Sequence, residues 1–184
     1  TLLQISNIYK TKNITSQIDS ITMQKIYTED LKGISNNSIL VNSEQNMLDV
    51  LENDFSGKRY SCIYISRPLE QYMEWKRLLE LLCSILKPGG VIMFNLSNAF
   101  DPVNYQWLTA FQFPPRERLN YLNPDIVESY TKSLVNNVSR YQKRGRTSQD
   151  FLLSVAKSVR SYLSTEVIVS ILNTTEYLYI GIKI

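Results

Sequence analysis

The sequence predicts an α/β fold in one domain, 1–184, with helices packed about a mostly parallel, doubly wound sheet of seven strands. Three observations carry that expectation. Short apolar, β-branched runs alternate with segments of helical period as far as residue 97. The connections between them are short, as crossovers within one sheet are. Finally, "ILKPGGVIMFNL", residues 85–96, joins the end of an apolar helix to a strongly apolar strand through a Lys-Pro-Gly-Gly turn. Proline stops a helix, and the glycines supply the positive-φ turn into the strand.

Taken in order, "TLLQIS" (1–6) is an apolar run without a turn residue and reads as the first strand. Ile14, Ile18 and Ile21 recur at helical spacing, with Thr15 and Ser16 as caps, so a helix is expected there. "QKIYTED" (24–30) is the second strand and ends on two acids, while 32–37 carries the Gly and Asn of a loop. "SILVN" (38–42) is the third strand. "SEQNMLDVLEND" (43–54) is a short helix capped by Ser43 and buried through Met47, Leu48 and Leu51. "YSCIYIS" (60–66) is the fourth strand, stopped by Pro68.

Residues 69–86 are expected to form one amphipathic helix. Leu69, Tyr72, Met73, Leu78, Leu79, Leu82, Ile85 and Leu86 make its apolar stripe, and Glu70, Glu74, Lys76, Arg77 and Glu80 decorate the other side. "VIMFNLS" (91–97) is the fifth strand. An insertion over about 97–164 follows: an elaborated loop rich in aromatics, Pro and Asn (97–124), then two helices (124–140 and 148–163) around the basic loop "RYQKRGR" (140–146). The chain closes on two strands flanking Asn173-Thr174-Thr175, which is hairpin chemistry.

The composition narrows the chemistry. With 184 residues, 43% apolar and 20% charged, the chain suits one globular domain. A net charge of +3 is compatible with an anionic cofactor or substrate and does not call for nucleic acid. There is no histidine, which excludes a Ser-His-Asp triad, a His base and a His-ligated metal within this chain. Cys62 and Cys83 lie in apolar runs and are expected to be buried free thiols of a reducing, cytoplasmic setting. No apolar run nears the ~18 residues of a membrane span, and no signal peptide opens the chain. A start at Thr1 suits a processed product or a domain cut from a longer protein.

"YSCIYISRPLEQYMEWKRLLELLCSILKPGGVIMFNLS" (60–97) resembles the central strand–helix–strand of class I S-adenosylmethionine-dependent methyltransferases. The closing pair "EVIVSILNT" and "EYLYIGIKI" is similar to that family's last two strands. The resemblance covers nearly the whole chain in element order, with its motif-grade part at 60–96. It implies a Rossmann-like sheet whose last strand runs antiparallel to the rest, and S-adenosylmethionine as cofactor. One segment departs from the family pattern. "SNIYKTKN" (6–13) stands where the family carries glycines that let the backbone approach the methionine moiety and ribose, and it holds none. The helix usual between the second and third strands is missing as well.

The same resemblance implies the site residues. Ser6 and Asn7 belong to the cofactor loop, and Asn7 tolerates a left-handed turn. Glu29 and Asp30 stand where the family places a carboxylate on the ribose hydroxyls. Asn42 and Ser43 occupy the adenine-contact region, and Ser66 and Arg67 the strand tip where catalytic or substrate groups lie. Without histidine, a base must be a carboxylate, Tyr or Lys, and Asp101 is the best placed acid; its plain reading is a turn residue before Pro102. Tyr105, Trp107 and Arg116 belong to a segment suited to a substrate lid, or to packing the sheet's open edge.

Three functions follow in order of expectation. The first is methyl transfer to a small molecule or glycan. The second is an inactive methyltransferase-like binding or scaffold domain, with a protein partner or further domains. The third is RNA modification through the basic patch of Arg140, Lys143, Arg144 and Arg146, against which the small net charge stands.

Overall fold

Ile21 and Thr22 lie in a strand, β1 (Asp19–Thr22), where the isoleucine spacing predicts a helix. Three isoleucines at helical spacing are too little to nucleate a helix, and β-branched side chains favour extended backbone. The structure is a computed structural model that describes residues 18–25, 35–98, 122–144 and 174–184. It divides into two compact units, Thr1–Phe55 and Ser56–Ile184.

In the first unit β1 pairs in parallel with β2 (Asn37–Leu40), Asp19 opposite Asn37. The Asn37 amide donates to the Asp19 carboxylate at 2.8 Å, and the Val41 N–H extends the ladder to the Thr22 carbonyl at 2.9 Å. Helix α1 (Glu44–Asn53) follows as the sequence predicts. Ser43 Oγ accepts from the Asn46 N–H at 3.1 Å, and Met47, Leu48 and Leu51 are buried.

The second unit is built on a four-stranded sheet in the order β3-β4-β6-β5. β3 (Tyr60–Ile65) and β4 (Leu86–Ser97) run parallel, whereas β6 (Thr174–Ile182) runs antiparallel to β4, as expected of the last strand. The described residues thus form sheets of two and four strands and do not themselves show one of seven.

The Lys-Pro-Gly-Gly segment is not a turn before a strand but a bulge inside one. β4 begins at Leu86, opposite Tyr60, and the next pair is Cys62 with Val91. Gly89 takes φ +73°, the conformation that favours glycine. A Cβ on Gly90 would lie 2.8 Å from the Lys87 carbonyl oxygen. Lys183, just beyond β6, fastens this corner. Its backbone N–H donates to the Gly90 carbonyl at 3.0 Å, and its ammonium reaches the carbonyls of Cys83 and Leu86 at 2.7 and 3.1 Å. Cations favour the carboxyl end of a helix in just this way.

The expected helix over 69–86 is broken in two. A 3₁₀ turn, Leu69–Gln71, is followed by extended Tyr72 (φ −107°, ψ 128°), and helix α2 spans Trp75–Ser84. Glu70 is only 3% exposed and turned inward, Met73 is 68% exposed, and Trp75 takes the buried place. The register shifts because the Glu70 carboxylate is drawn to the backbone of β4 at Ser97.

The expected helix over 124–140 also ends early. Helix α3 is Pro124–Leu134, with Pro in its first turn and Asn123 Oδ1 accepting from the Asp125 N–H at 2.8 Å. After extended Val135 the chain enters β5 (Asn137–Arg144), so the basic segment is a strand rather than a loop as far as Arg144. Asn136 and Asn137 are poor helix formers, and β-branched Val135 and Val138 are buried in extended backbone. β5 pairs antiparallel with β6, Arg140 opposite Tyr179 and Lys143 opposite Glu176. Both edges of β6 are therefore taken, by β4 and β5, and the strand begins at Thr174. Thr174 and Thr175, expected in a hairpin turn, lie in β6; residues 165–173 lie outside the described residues, as do those expected to form the strand at 1–6, the part of the strand at 24–30 beyond Lys25, and the helix at 148–163.

The core lies between this sheet and helices α2 and α3. Ile92, Phe94 and Leu96 of β4 are fully buried, as are Leu79 of α2 and Val127 and Thr131 of α3. Burial of each large apolar side chain stabilises by about 1.5–3 kcal/mol. Phe94 stacks on Tyr179, its partner across the ladder, with ring centroids 5.0 Å apart and planes 11° from parallel. Trp75 and Tyr130 join α2 to α3 edge-to-face at 5.3 Å, and the Tyr130 hydroxyl donates to Glu80.

Cys83 is buried, but Cys62 is exposed, against expectation. Alternation along β3 sends Ile63 and Ile65 to the more buried face and Cys62 and Tyr64 to the other. Burial pushes the Cys83 thiol up to about 11, with the Lys183 charge pulling it partly back. Iodoacetamide at pH 8 is expected to label Cys62 in the folded chain and Cys83 only after unfolding, as read by peptide mass spectrometry. Equal labelling of both in the folded chain would contradict the packing of α2. The raised thiol also sets a sign for alkaline stability. Because the fold favours the neutral form, its contribution is complete below the unfolded value of about 9 and is lost as pH rises through about 11.

Candidate functional site

In a parallel sheet, ligands bind outside the carboxyl ends of the strands. β3 ends at Ile65, opposite Phe94, while β4 runs three residues further to Ser97, and the chain beyond each strand is polar. Ser66 is exposed and Arg67 half-buried at the tip of β3. The Arg67 Nε–H donates to Gln71 Oε1 at 2.8 Å, and its guanidinium carbon lies 5.9 Å from the centre of the Tyr72 ring. The 3₁₀ turn after Pro68 makes both contacts, because it folds Gln71 and Tyr72 back beneath the strand tip.

Two further polar groups complete this edge, and sequence reasoning missed both. Glu70 Oε2 accepts from the Ser97 N–H at 3.2 Å, tying the turn after β3 to the end of β4. Asn98 is 1% exposed, and its amide donates to the Thr174 carbonyl at 2.6 Å, tying β4 to the start of β6. A buried polar side chain needs such a partner. Asn98 carried one signal, a polar residue directly after an apolar strand. Glu70 carried none, because it reads as the solvent face of a helix.

In the first unit, Asn42 and Ser43 join β2 to α1. Asn42 is exposed, whereas Ser43 Oγ serves as the helix cap. An exposed amide offers both a donor and an acceptor. The cap uses an acceptor lone pair of Ser43 and leaves its hydroxyl proton for a ligand. Ser6, Asn7, Glu29, Asp30, Asp101, Tyr105, Trp107 and Arg116 lie outside the described residues.

Two charges of the basic segment, those whose side chains are described, are paired with carboxylates. Arg140 meets Asp125 at 2.6 Å and Glu128 at 3.3 Å and lies over the Tyr177 ring, and Lys143 meets Glu176 at 2.9 Å. Among the described residues no group of three or more Cys, Asp or Glu side chains is gathered for a metal, and no helix is long and apolar enough to cross a membrane.

No protein-family model matches the sequence, and no curated protein matches it significantly. Solved structures do resemble it. A SAM-dependent methyltransferase from Archaeoglobus fulgidus superposes at a TM-score of 0.59 with 14% identity, over 100% of this chain and 95% of that one. The plantazolicin methyltransferase BpumL, solved in complex with SAH, gives 0.54 and 12% over 98% of this chain and 71% of that one. The [4+2]-cyclase SpnF gives 0.55 and 12% over 96% and 70%. The chain thus has a mixed α/β architecture similar to the Rossmann-like fold of S-adenosylmethionine-dependent methyltransferases.

Proposed function

We propose that the chain is an S-adenosylmethionine-dependent methyltransferase whose acceptor is a small molecule or glycan, with residues 1–184 working as one domain. The observation that carries this reading is the likeness to the Archaeoglobus fulgidus methyltransferase over the full length of this chain and nearly all of that one. The polar carboxyl edge of β3 and β4 supports it. When bound, S-adenosylmethionine supplies an electrophilic methyl group on a sulfonium. The chain's part is to hold that group and the acceptor in line and to keep water out. In this reading Ser6 and Asn7 line the cofactor loop, Glu29 and Asp30 take the ribose hydroxyls, and Asn42 and Ser43 face the adenine. Tyr105, Trp107 and Arg116 wall the acceptor, and Asp101 accepts its proton. Arg67 does not serve as a base, since a guanidinium keeps its proton in proteins; it binds and orients.

A second reading is a methyltransferase-like domain that binds without transferring methyl groups. The glycine-free segment 6–13 favours it, and the similarity to a [4+2]-cyclase shows that this fold is not tied to one chemistry. RNA modification is weakened, since Arg140 and Lys143 are engaged with carboxylates.

Calorimetric titration with S-adenosylmethionine and S-adenosylhomocysteine separates the first two readings. Micromolar binding that is lost when Glu29 and Asp30 are both replaced by Ala supports the transferase. A folded chain that gives no heat at millimolar ligand sinks it in favour of the binding domain.

A further inference from the structure

Four arginines have described side chains, and three are already engaged with acceptors of the chain. Arg77 pairs with Glu80 at 3.7 Å, Arg140 pairs with Asp125 and Glu128, and Arg59 folds back on the carbonyls of Ser56 and Lys58. Arg67 is different. Like Arg59 it faces no carboxylate among the described residues, but its bond runs from Nε–H to the neutral Gln71 amide rather than from a terminal nitrogen, and its guanidinium carbon lies 5.9 Å from the centre of the Tyr72 ring. The nearby Glu70 carboxylate accepts instead from the Ser97 backbone. A guanidinium held through Nε beside an aromatic ring presents its terminal Nη pair as a fork, the shape that binds a carboxylate or phosphate bidentately. Half-burial strengthens such a pair relative to one in open water. The fork stands at the tip of β3, at the edge where a parallel sheet receives its ligand.

From this geometry we infer that Arg67 is the receptor for an anionic oxyacid group, carboxylate or phosphate, on the ligand bound at the carboxyl edge of β3 and β4. Gln71 and Tyr72 are its positioning residues. Within the proposed transferase, on which the choice of source rests, that group belongs to the acceptor, so the acceptor is an anionic small molecule or an acidic or phosphorylated sugar. The methionine carboxylate of the cofactor offers the same chemistry, and the test separates the two.

The Nε–Hε resonance of Arg67 is followed by NMR in the full chain during titration with inorganic phosphate and with acetate, with Arg59 and Arg77 as internal controls. In parallel, S-adenosylhomocysteine and methylthioadenosine, which lacks the carboxylate, are titrated calorimetrically into the wild type and Arg67→Gln. Phosphate is expected to move the Arg67 signal saturably in the millimolar range, leaving Arg59 and Arg77 in place. Gln71→Ala is expected to weaken that response several-fold while the charge remains. Unchanged S-adenosylhomocysteine affinity in Arg67→Gln then assigns the anion to the acceptor. A loss of roughly tenfold, ~1.4 kcal/mol, with methylthioadenosine unaffected, assigns it to the cofactor carboxylate and still upholds the receptor. A moving Arg67 signal in a wild type that binds no S-adenosylhomocysteine ends the transferase reading and leaves the receptor standing. The inference is overturned if phosphate and acetate leave Arg67 unmoved and Arg67→Gln, folded by its thermal melt, binds both nucleosides as the wild type does.

Discussion

Gly181→Val is expected to abolish stable folding of the second unit, or to lower its urea midpoint further than any surface change. The sheet is built so that α3 lies against β6 at this glycine. A Cβ there would stand 2.8 Å from Val135 Cγ2 and 3.0 Å from Ile92 Cγ2, both on separately anchored elements. Neither neighbour is the free end of a long side chain: Val135 follows α3, and Ile92 is fully buried in β4. Alanine alone is expected to cost about 1–3 kcal/mol by overpacking. Valine adds two methyl groups to the same clash and removes a sizeable share of the ~5–15 kcal/mol that typically separates folded from unfolded chains. Gly57→Ala is the control, because nothing lies within 4 Å of its added Cβ; its effect is expected within about 0.5 kcal/mol. If Gly181→Val and Gly57→Ala shift the midpoint alike, α3 does not rest on β6 as described.

The second large effect is expected at Phe94. Its ring is fully buried, stacked on Tyr179 and placed in the centre of the sheet. Truncation to alanine removes the ring and leaves a cavity walled by strands that cannot collapse, at about 3–5 kcal/mol. Tyr179 cannot swing into the space freely, because its hydroxyl donates to the Pro124 carbonyl at 2.9 Å, at the first turn of α3. Phe94→Leu is expected to lose less, keeping most of the volume but not the stacked faces. A double-mutant cycle with Tyr179→Leu isolates the ring–ring part, expected at about 0.5–1.5 kcal/mol beyond burial. Additive losses would show that the stacking contributes only area.

The alternation of β4 was legible, because one face of that strand is dry and its sequence says so at every second residue. The helix cap at Ser43 was legible for the same reason: cap and capped amide are neighbours in sequence. What failed were features decided at a distance. The Lys-Pro-Gly-Gly segment announces a positive φ, but whether it is a turn or a bulge depends on the register against Tyr60 and Cys62, which no local pattern encodes. The break between Leu69 and Trp75 follows from a hydrogen bond between Glu70 and Ser97, far along the chain, so the apolar spacing alone extended the helix too far. β5 was hidden because an outer strand with Arg140 and Lys143 reads as a charged loop, and its charges are answered by Asp125, Glu128 and Glu176 on other elements. Of the candidate site, Arg67 and Ser66 were legible as strand-tip residues. The Glu70 and Asn98 bonds that brace them were not, because their partners are backbone groups.

The strand order β3-β4-β6-β5 has a consequence for the order of assembly. β3, α2 and β4 are contiguous in the chain, so they can close as soon as residue 97 has been made. β5 is synthesised next but has no place in the sheet, because its ladder neighbour is β6, and β6 must first enter beside β4. Until residues 174–182 emerge, the apolar row of β4 ending in Leu96 has an open edge, and β5 waits without its ladder partner. Long loop closures of this kind are slow relative to local pairing. A nascent or truncated chain lacking β6 therefore holds a half-built sheet with an exposed edge, the state from which strands pair with the wrong neighbour.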